Sequence, residues 1–125
     1  MSAIPELNAV QIAGRLARPP KSKLSRRGVT VAELSVELKK TKILPDDTES
    51  VRLTYVIVEF WDRPAARLLK LDLKTGTGIM IEGLLWLQVF KACGTCKRGP
   101  RLIVMGNKFK VLEVPDEVYA PEEGQ

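Results

Sequence analysis

Apolar and polar residues alternate along most of this chain with the two-residue period of β-strands. In residues 9–16 (AVQIAGRL), Val10, Ile12 and Leu16 share one side while Gln11 and Arg15 take the other. A base-rich loop at 17–27 follows, broken by Pro19-Pro20. Gly28 opens a second strand over 29–40, with Thr30, Ala32, Leu34, Val36 and Leu38 on one face and Glu33, Ser35, Glu37 and Lys39 on the other. The polar stretch LPDDTES reads as a turn. The third strand, residues 51–61 (VRLTYVIVEFW), is largely apolar on both faces, which predicts a strand covered on both sides. Tyr55, which shares parity with Leu53 and Ile57, and Trp61, next to the helix cap, are expected in the core or an interface rather than as ligand contacts.

Asp62 reads as a helix N-cap, with Pro64 in the first turn. Leu69 and Leu73 lie one turn apart, and the helix is expected to end at Thr75-Gly76-Thr77-Gly78. In the fourth strand, 79–90, Leu85, Leu87 and Val89 alternate with Trp86, Gln88 and Phe90. The leucine and valine side is expected to be core, which turns Trp86 and Phe90 outward. Residues 101–113 form the fifth strand. The order β-β-β-α-β-β predicts an all-β, five-stranded oligonucleotide/oligosaccharide-binding (OB) barrel over residues 1–113, with an α+β sandwich as its competitor. Residues 114–125 are expected to form a short acidic tail.

Charge sharpens this picture. The chain of 125 residues carries a net +5, yet its last thirteen residues hold five acids and no base, so residues 1–112 carry +10. A body that basic favours a polyanionic partner. Histidine is absent, which removes the commonest general base and most catalytic zinc sites. No run is apolar enough to span a bilayer, and MSAIPELNAV lacks the form of a secretory signal. The expectation is a cytoplasmic protein that is not an enzyme and needs no cofactor. The carboxylates Asp46, Asp47 and Glu49 read as a solvated turn rather than an acid–base pair.

The segments NAVQIAGRLARPP, GVTVAELSVEL, VIVEFWDRPAARLL and TGTGIMIEGLL resemble, in order and spacing, successive elements of the bacterial single-stranded-DNA-binding protein family and the related primosomal replication protein B group. The likeness spans residues 8–113. It implies an OB barrel, dimeric or tetrameric, that coats single strands largely without sequence preference in replication, restart, recombination or repair. Aligned with that family, Phe60 and Phe90 fall where it has base-stacking aromatics, while two of its tryptophan positions fall near Lys42 and Thr54, which cannot stack as rings do. The chain also stops at EEGQ, without the family's long tail that recruits partners.

Single strands are held by cations that follow the phosphates and by rings that stack on bases. The expected ligand contacts are therefore Arg15 on the first strand, the bases Lys21, Lys23, Arg26 and Arg27 of the loop after it, and Lys39, Lys40 and Lys42 at the end of the second. The tip and its base add Lys91, Lys97, Arg98 and Arg101. Phe60, Trp86 and Phe90 are the expected rings, with Gln88 between the last two. The partner is single-stranded DNA or RNA. The alternative is an accessory module that docks on a replication or recombination protein and touches nucleic acid weakly. Cys93 and Cys96 (CGTC) offer half of a four-thiolate zinc site, which two subunits would have to complete. A reversible disulfide and plain thiols are the other readings.

Overall fold

The computed structural model describes residues 4–89 and 100–115. Phe90, Lys91, Cys93, Cys96, Lys97, Arg98 and most of the acidic tail lie outside them. The elements are β1 (Val10–Leu16), β2 (Lys21–Leu24), β3 (Thr30–Ile43), β4 (Glu49–Trp61), α1 (Arg63–Lys70), β5 (Gly78–Gln88) and β6 (Arg101–Glu113).

Five of the strands form a closed ring. β1 pairs with β5, β5 with β6, β6 with β4 and β4 with β3, and β3 returns to β1 through Arg15↔Glu37 and Leu16↔Val36. The β4–β6 pairing is parallel, at Val58↔Val104, and the others are antiparallel. One helix lies between β4 and β5. This is the OB barrel.

β2 was not expected. Residues 21–24 form a short antiparallel ladder on the outer edge of β3, with Lys21↔Glu33 and Lys23↔Val31. The cause is a tight turn over Ser25–Gly28. Gly28 takes φ 79°, its N–H donates to the Ser25 carbonyl, and the Ser25 hydroxyl accepts from Val29 N–H. A turn that sharp folds the loop back as a hairpin.

Inside the ring lie Leu16, Ala32, Leu34, Val36, Val58, Phe60, Ile79, Ile81 and Val104, closed at one end by Ala65 and Leu68 of the helix. Phe60 is the largest buried side chain; its ring meets Phe109 edge to face at 5.5 Å between centroids. A Cβ on Gly106 would lie 2.5 Å from that ring, so glycine is what lets β6 pass over it.

The helix is shorter than expected, ending at Lys70. Asp62 occupies the N-cap position, but its side chain makes no capping hydrogen bond. Its backbone instead takes φ 64°, ψ −127°, a conformation that costs a non-glycine residue about 1–3 kcal/mol. That bend separates the strand from the helix immediately after Trp61.

Two strand pairs are exposed at their far ends. On the β3–β4 hairpin Lys39, Lys40, Lys42, Ile43, Val51, Arg52, Leu53 and Tyr55 are all exposed. The two apolar faces of β4 are therefore not both covered. On the other pair, Leu85, Leu87, Val89 and Leu102 are 46–68% exposed. The expectation that Leu85, Leu87 and Val89 fill the core fails. Leu85 and Leu87 do have core parity, since Leu85 pairs with Val104, but the arms extend past the packed interior.

Candidate nucleic acid interface

The two sides of the sheet follow from register. Val56, Val58 and Phe60 turn inward, so Tyr55, Ile57, Glu59 and Trp61 turn outward. On β3 their ladder partners are Glu37, Ser35, Glu33 and Val31. On β6, Val104 and Gly106 face the core, so Arg101, Ile103 and Met105 take the other side of the sheet, where Ile103 is nonetheless covered, at 1% exposure. Trp86 pairs with Ile103 and Gln88 with Arg101, which puts both on the same outer side.

Among the described residues, this outer side carries three exposed rings. Trp86 is 53% exposed, Tyr55 56% and Trp61 38%. Phe60 is 0% exposed. The assignment of Phe60 as a base-stacking ring is therefore wrong: it is a core residue, and the outward aromatic is its neighbour Trp61. Tyr55, the residue after Thr54, likewise turns outward. A shift of one residue in a strand exchanges every side chain between faces. Trp61 and Tyr55, expected in a core or interface, are the residues that sequence reasoning missed.

Between the rings sits a polar cluster built around Glu59, whose side chain is fully buried. Its Oε1 accepts from Trp61 Nε1 at 3.1 Å, and its Oε2 accepts from Lys23 Nζ at 3.0 Å. Gln88 Nε2 also donates to this carboxylate, at 3.2 Å to Oε2. Arg101 lies 3.6 Å from Oε2 and donates from Nε to Gln88 Oε1 at 2.8 Å. Glu33 is the second carboxylate. It takes Lys23 at 3.0 Å and has Arg101 at 4.0 Å and Arg18 at 3.9 Å.

The charges in the cluster reinforce one another. Burial is the largest single influence on Lys23 and works against its charge. Hydrogen bonds to Glu59 and Glu33, with the charges of both, together outweigh it and hold the ammonium pKa above the usual lysine value. For Glu33, burial pushes the pKa up most. The hydrogen bond from Lys23 and the charges of Lys23, Arg101 and Lys21 together pull it below the usual carboxylate value.

The expected cations thus divide into two sets. Lys23 and Arg101, from the first basic group and the base of the tip, converge on the same two carboxylates. Arg15 is likewise engaged, at 2.7 Å from Glu113 and 2.9 Å from the Gly76 carbonyl. The exposed set forms a rim. Lys21 lies on β2, Arg26 and Arg27 in the turn after it, and Lys39 on the outer side of β3. Lys40 and Lys42 point to the opposite side of the β3–β4 hairpin. There they line an open groove of about 320 Å³ with Leu44, Ser50 and Arg52. Arg52 was not foreseen; its pairing with Lys40 places it.

A family model described as the single-strand binding protein family matches residues 7–104. Among solved structures, the chain is similar to the wild-type single-stranded DNA binding protein from Thermus aquaticus. There the TM-score is 0.72 at 22% identity, over 86% of this chain and 50% of that one. A deletion mutant of the same protein (delta 228-252 R190A) gives 0.73 at 22% identity, covering 86% and 51%. The Plasmodium falciparum SSB complex with ssDNA gives 0.73 at 14% identity, covering 90% of this chain and all of that one. This chain spans about half the length of the Thermus aquaticus chains. At these identities the likeness establishes the fold. No curated protein matches the sequence.

Proposed function

The chain belongs to the single-strand binding protein family, and from that premise we propose that the outer side of its barrel binds single-stranded DNA. The observation that carries the reading is the set of exposed rings Tyr55, Trp61 and Trp86 on one side of the sheet. Each can stack a base, worth about 1–3 kcal/mol per ring. The rim cations follow the phosphates: Lys21, Arg26 and Arg27 on one flank, and Lys39, Lys40, Lys42 and Arg52 on the hairpin. A face of this kind binds rather than catalyses. It serves DNA replication, restart, recombination or repair in the cytoplasm.

Self-association belongs to the same reading. Val10–Gly14 on β1 pair with β5 along one edge and have no ladder on the other among the described strands. Leu85, Leu87 and Leu102 add exposed apolar surface. Both features support a homodimer or homotetramer.

Fluorescence titration with thymine oligonucleotides, the matching duplex and a uracil RNA at two salt concentrations tests the proposal. Tight binding of the single strand that weakens with salt is the expected result. Failure to bind at low salt, or equal affinity for duplex, would defeat it. Binding that appears only with a replication or recombination protein present would favour the accessory-module reading.

A further inference from the structure

A protein that merely coats single strands needs rings and cations. The centre of this face holds two carboxylates instead, and they repel phosphates and cancel the charges of Lys23 and Arg101. Base edges differ from phosphates in carrying hydrogen-bond donors as well as acceptors. Unpaired strands expose their Watson–Crick edges, which side chains can then read.

The groups available for such reading are specific. Lys23 has three donors, of which two go to Glu33 Oε1 and Glu59 Oε2 at 3.0 Å. Its side chain is 42% exposed, which leaves the ammonium within reach of a ligand for the third. Glu33, 13% exposed at its side chain, makes no hydrogen bond through Oε2 among the described residues; the nearest cation to that oxygen is Arg18 at 3.9 Å. The Glu59 carboxylate joins the indole of Trp61 on one oxygen to the ammonium of Lys23 on the other. Stacking ring, donor and acceptor are thus linked in one chain of hydrogen bonds, from Trp61 through Glu59 and Lys23 to Glu33.

We infer that this cluster reads an unpaired guanine stacked on Trp61. Lys23 donates to O6, and Glu33 accepts from N1–H and the N2 amine. Guanine alone presents acceptor, donor and donor in that sequence along its Watson–Crick edge. Thymine has one donor between two acceptors, and adenine and cytosine begin with a donor. The inference rests on the proposed single-strand site and adds a base preference to otherwise sequence-tolerant binding.

The test compares three labelled strands of equal length by fluorescence anisotropy: all thymine, thymine with guanine at every third position, and the same with hypoxanthine for guanine. The guanine strand is expected to bind about five-fold or more tighter than the thymine strand. Hypoxanthine, which lacks the N2 amine, should lose much of that gain. Glu33→Gln should bring the guanine-to-thymine ratio close to one, with a thermal melt reporting that the variant is folded. The ratio is the readout, because removing a carboxylate strengthens phosphate binding on every strand. If Glu33→Gln does not fold, Lys23→Met examines the same recognition from the donor side and should also lower the ratio. Equal affinities in the unaltered protein, or a ratio that persists in the folded variant, would overturn the inference while leaving single-strand binding intact. Failure of every strand to bind would remove the site itself and the preference with it.

Discussion

Phe60 and Trp61 are adjacent in sequence and should behave as opposites when changed. Trp61→Ala removes a ring that is 38% exposed on the outer side, leaving the barrel interior intact. One missing stacking platform corresponds to about 1–3 kcal/mol, or roughly a 5- to 140-fold rise in Kd for single-stranded DNA. The indole also donates to Glu59, so some stability goes with it, but an exposed edge lets water replace that bond. Phe60→Leu works the other way. It shrinks a side chain with no exposure that packs on Phe109 and Gly106, at a cost of about 1–2 kcal/mol in stability. For a chain of this size that lowers Tm by roughly 4–8 °C. Below the melt, its affinity for a thymine strand should stay within about two-fold of the parent, well short of one stacking increment. Paired measurements, calorimetric melts and anisotropy titrations at low salt, separate the two effects. The parity argument fails if folded Phe60→Leu loses as much affinity as Trp61→Ala, or if Trp61→Ala binds like the parent.

Glu59→Ala should destabilise the fold by about 2–3 kcal/mol in denaturant melts, since it removes the shared partner of Lys23, Trp61, Gln88 and Arg101. The figure sits below that for a sealed ion pair because Lys23 and Arg101 keep exposed side chains and can turn to water. Thermal stability should hold a plateau across neutral pH. Glu33, lowered from 4.5, contributes stability above that value and loses it as pH falls through its folded pKa. Lys23, raised from 10.5, contributes below that value and loses it as pH rises through its own. Melts of Glu33→Gln should therefore show a shallower acid limb than the parent. Replacing Lys40, Lys42 and Arg52 together by glutamine should make the salt dependence of single-strand affinity shallower, by about 0.7 in log–log slope for each phosphate that is no longer neutralised. It should leave Tm nearly unchanged, because all three side chains are exposed.

The barrel was legible because alternation, turn residues and one helix fix the order of its strands. What failed was parity in one strand and length in others. In VIVEFW every position except Glu59 tolerates burial, so the apolar count does not say which face is core. Glu59 carries the missing signal. A carboxylate in mid-strand avoids an apolar core, so its side must face out, which turns Trp61 and Tyr55 out and Phe60 in. Leu85 and Leu87 misled for another reason. They have the correct parity for the core, but parity cannot tell where an arm outruns the packing beneath it. β2 was hidden by Pro19-Pro20 and its lysines, which resemble a loop until the turn at Gly28 folds them back.

The distribution of charge argues for how a strand lies on the face. Lys23 and Arg101 look like phosphate ligands in the sequence, yet Glu33 and Glu59 claim them, so the centre gains little from a phosphate. The exposed cations stand away from it, on the turn after β2 and on the β3–β4 hairpin. A strand that ran its backbone over the middle would meet carboxylates and leave Trp61 and Trp86 uncovered. One that turns its bases inward covers the rings and directs its phosphates to the rim. The two regions then report through different variables: salt acts on the rim through counterion release, and base identity acts on the centre through hydrogen bonding. Substituting the hairpin cations should change the salt slope and not the guanine ratio, whereas Glu33→Gln should change the guanine ratio. That separation follows only if the bases face in.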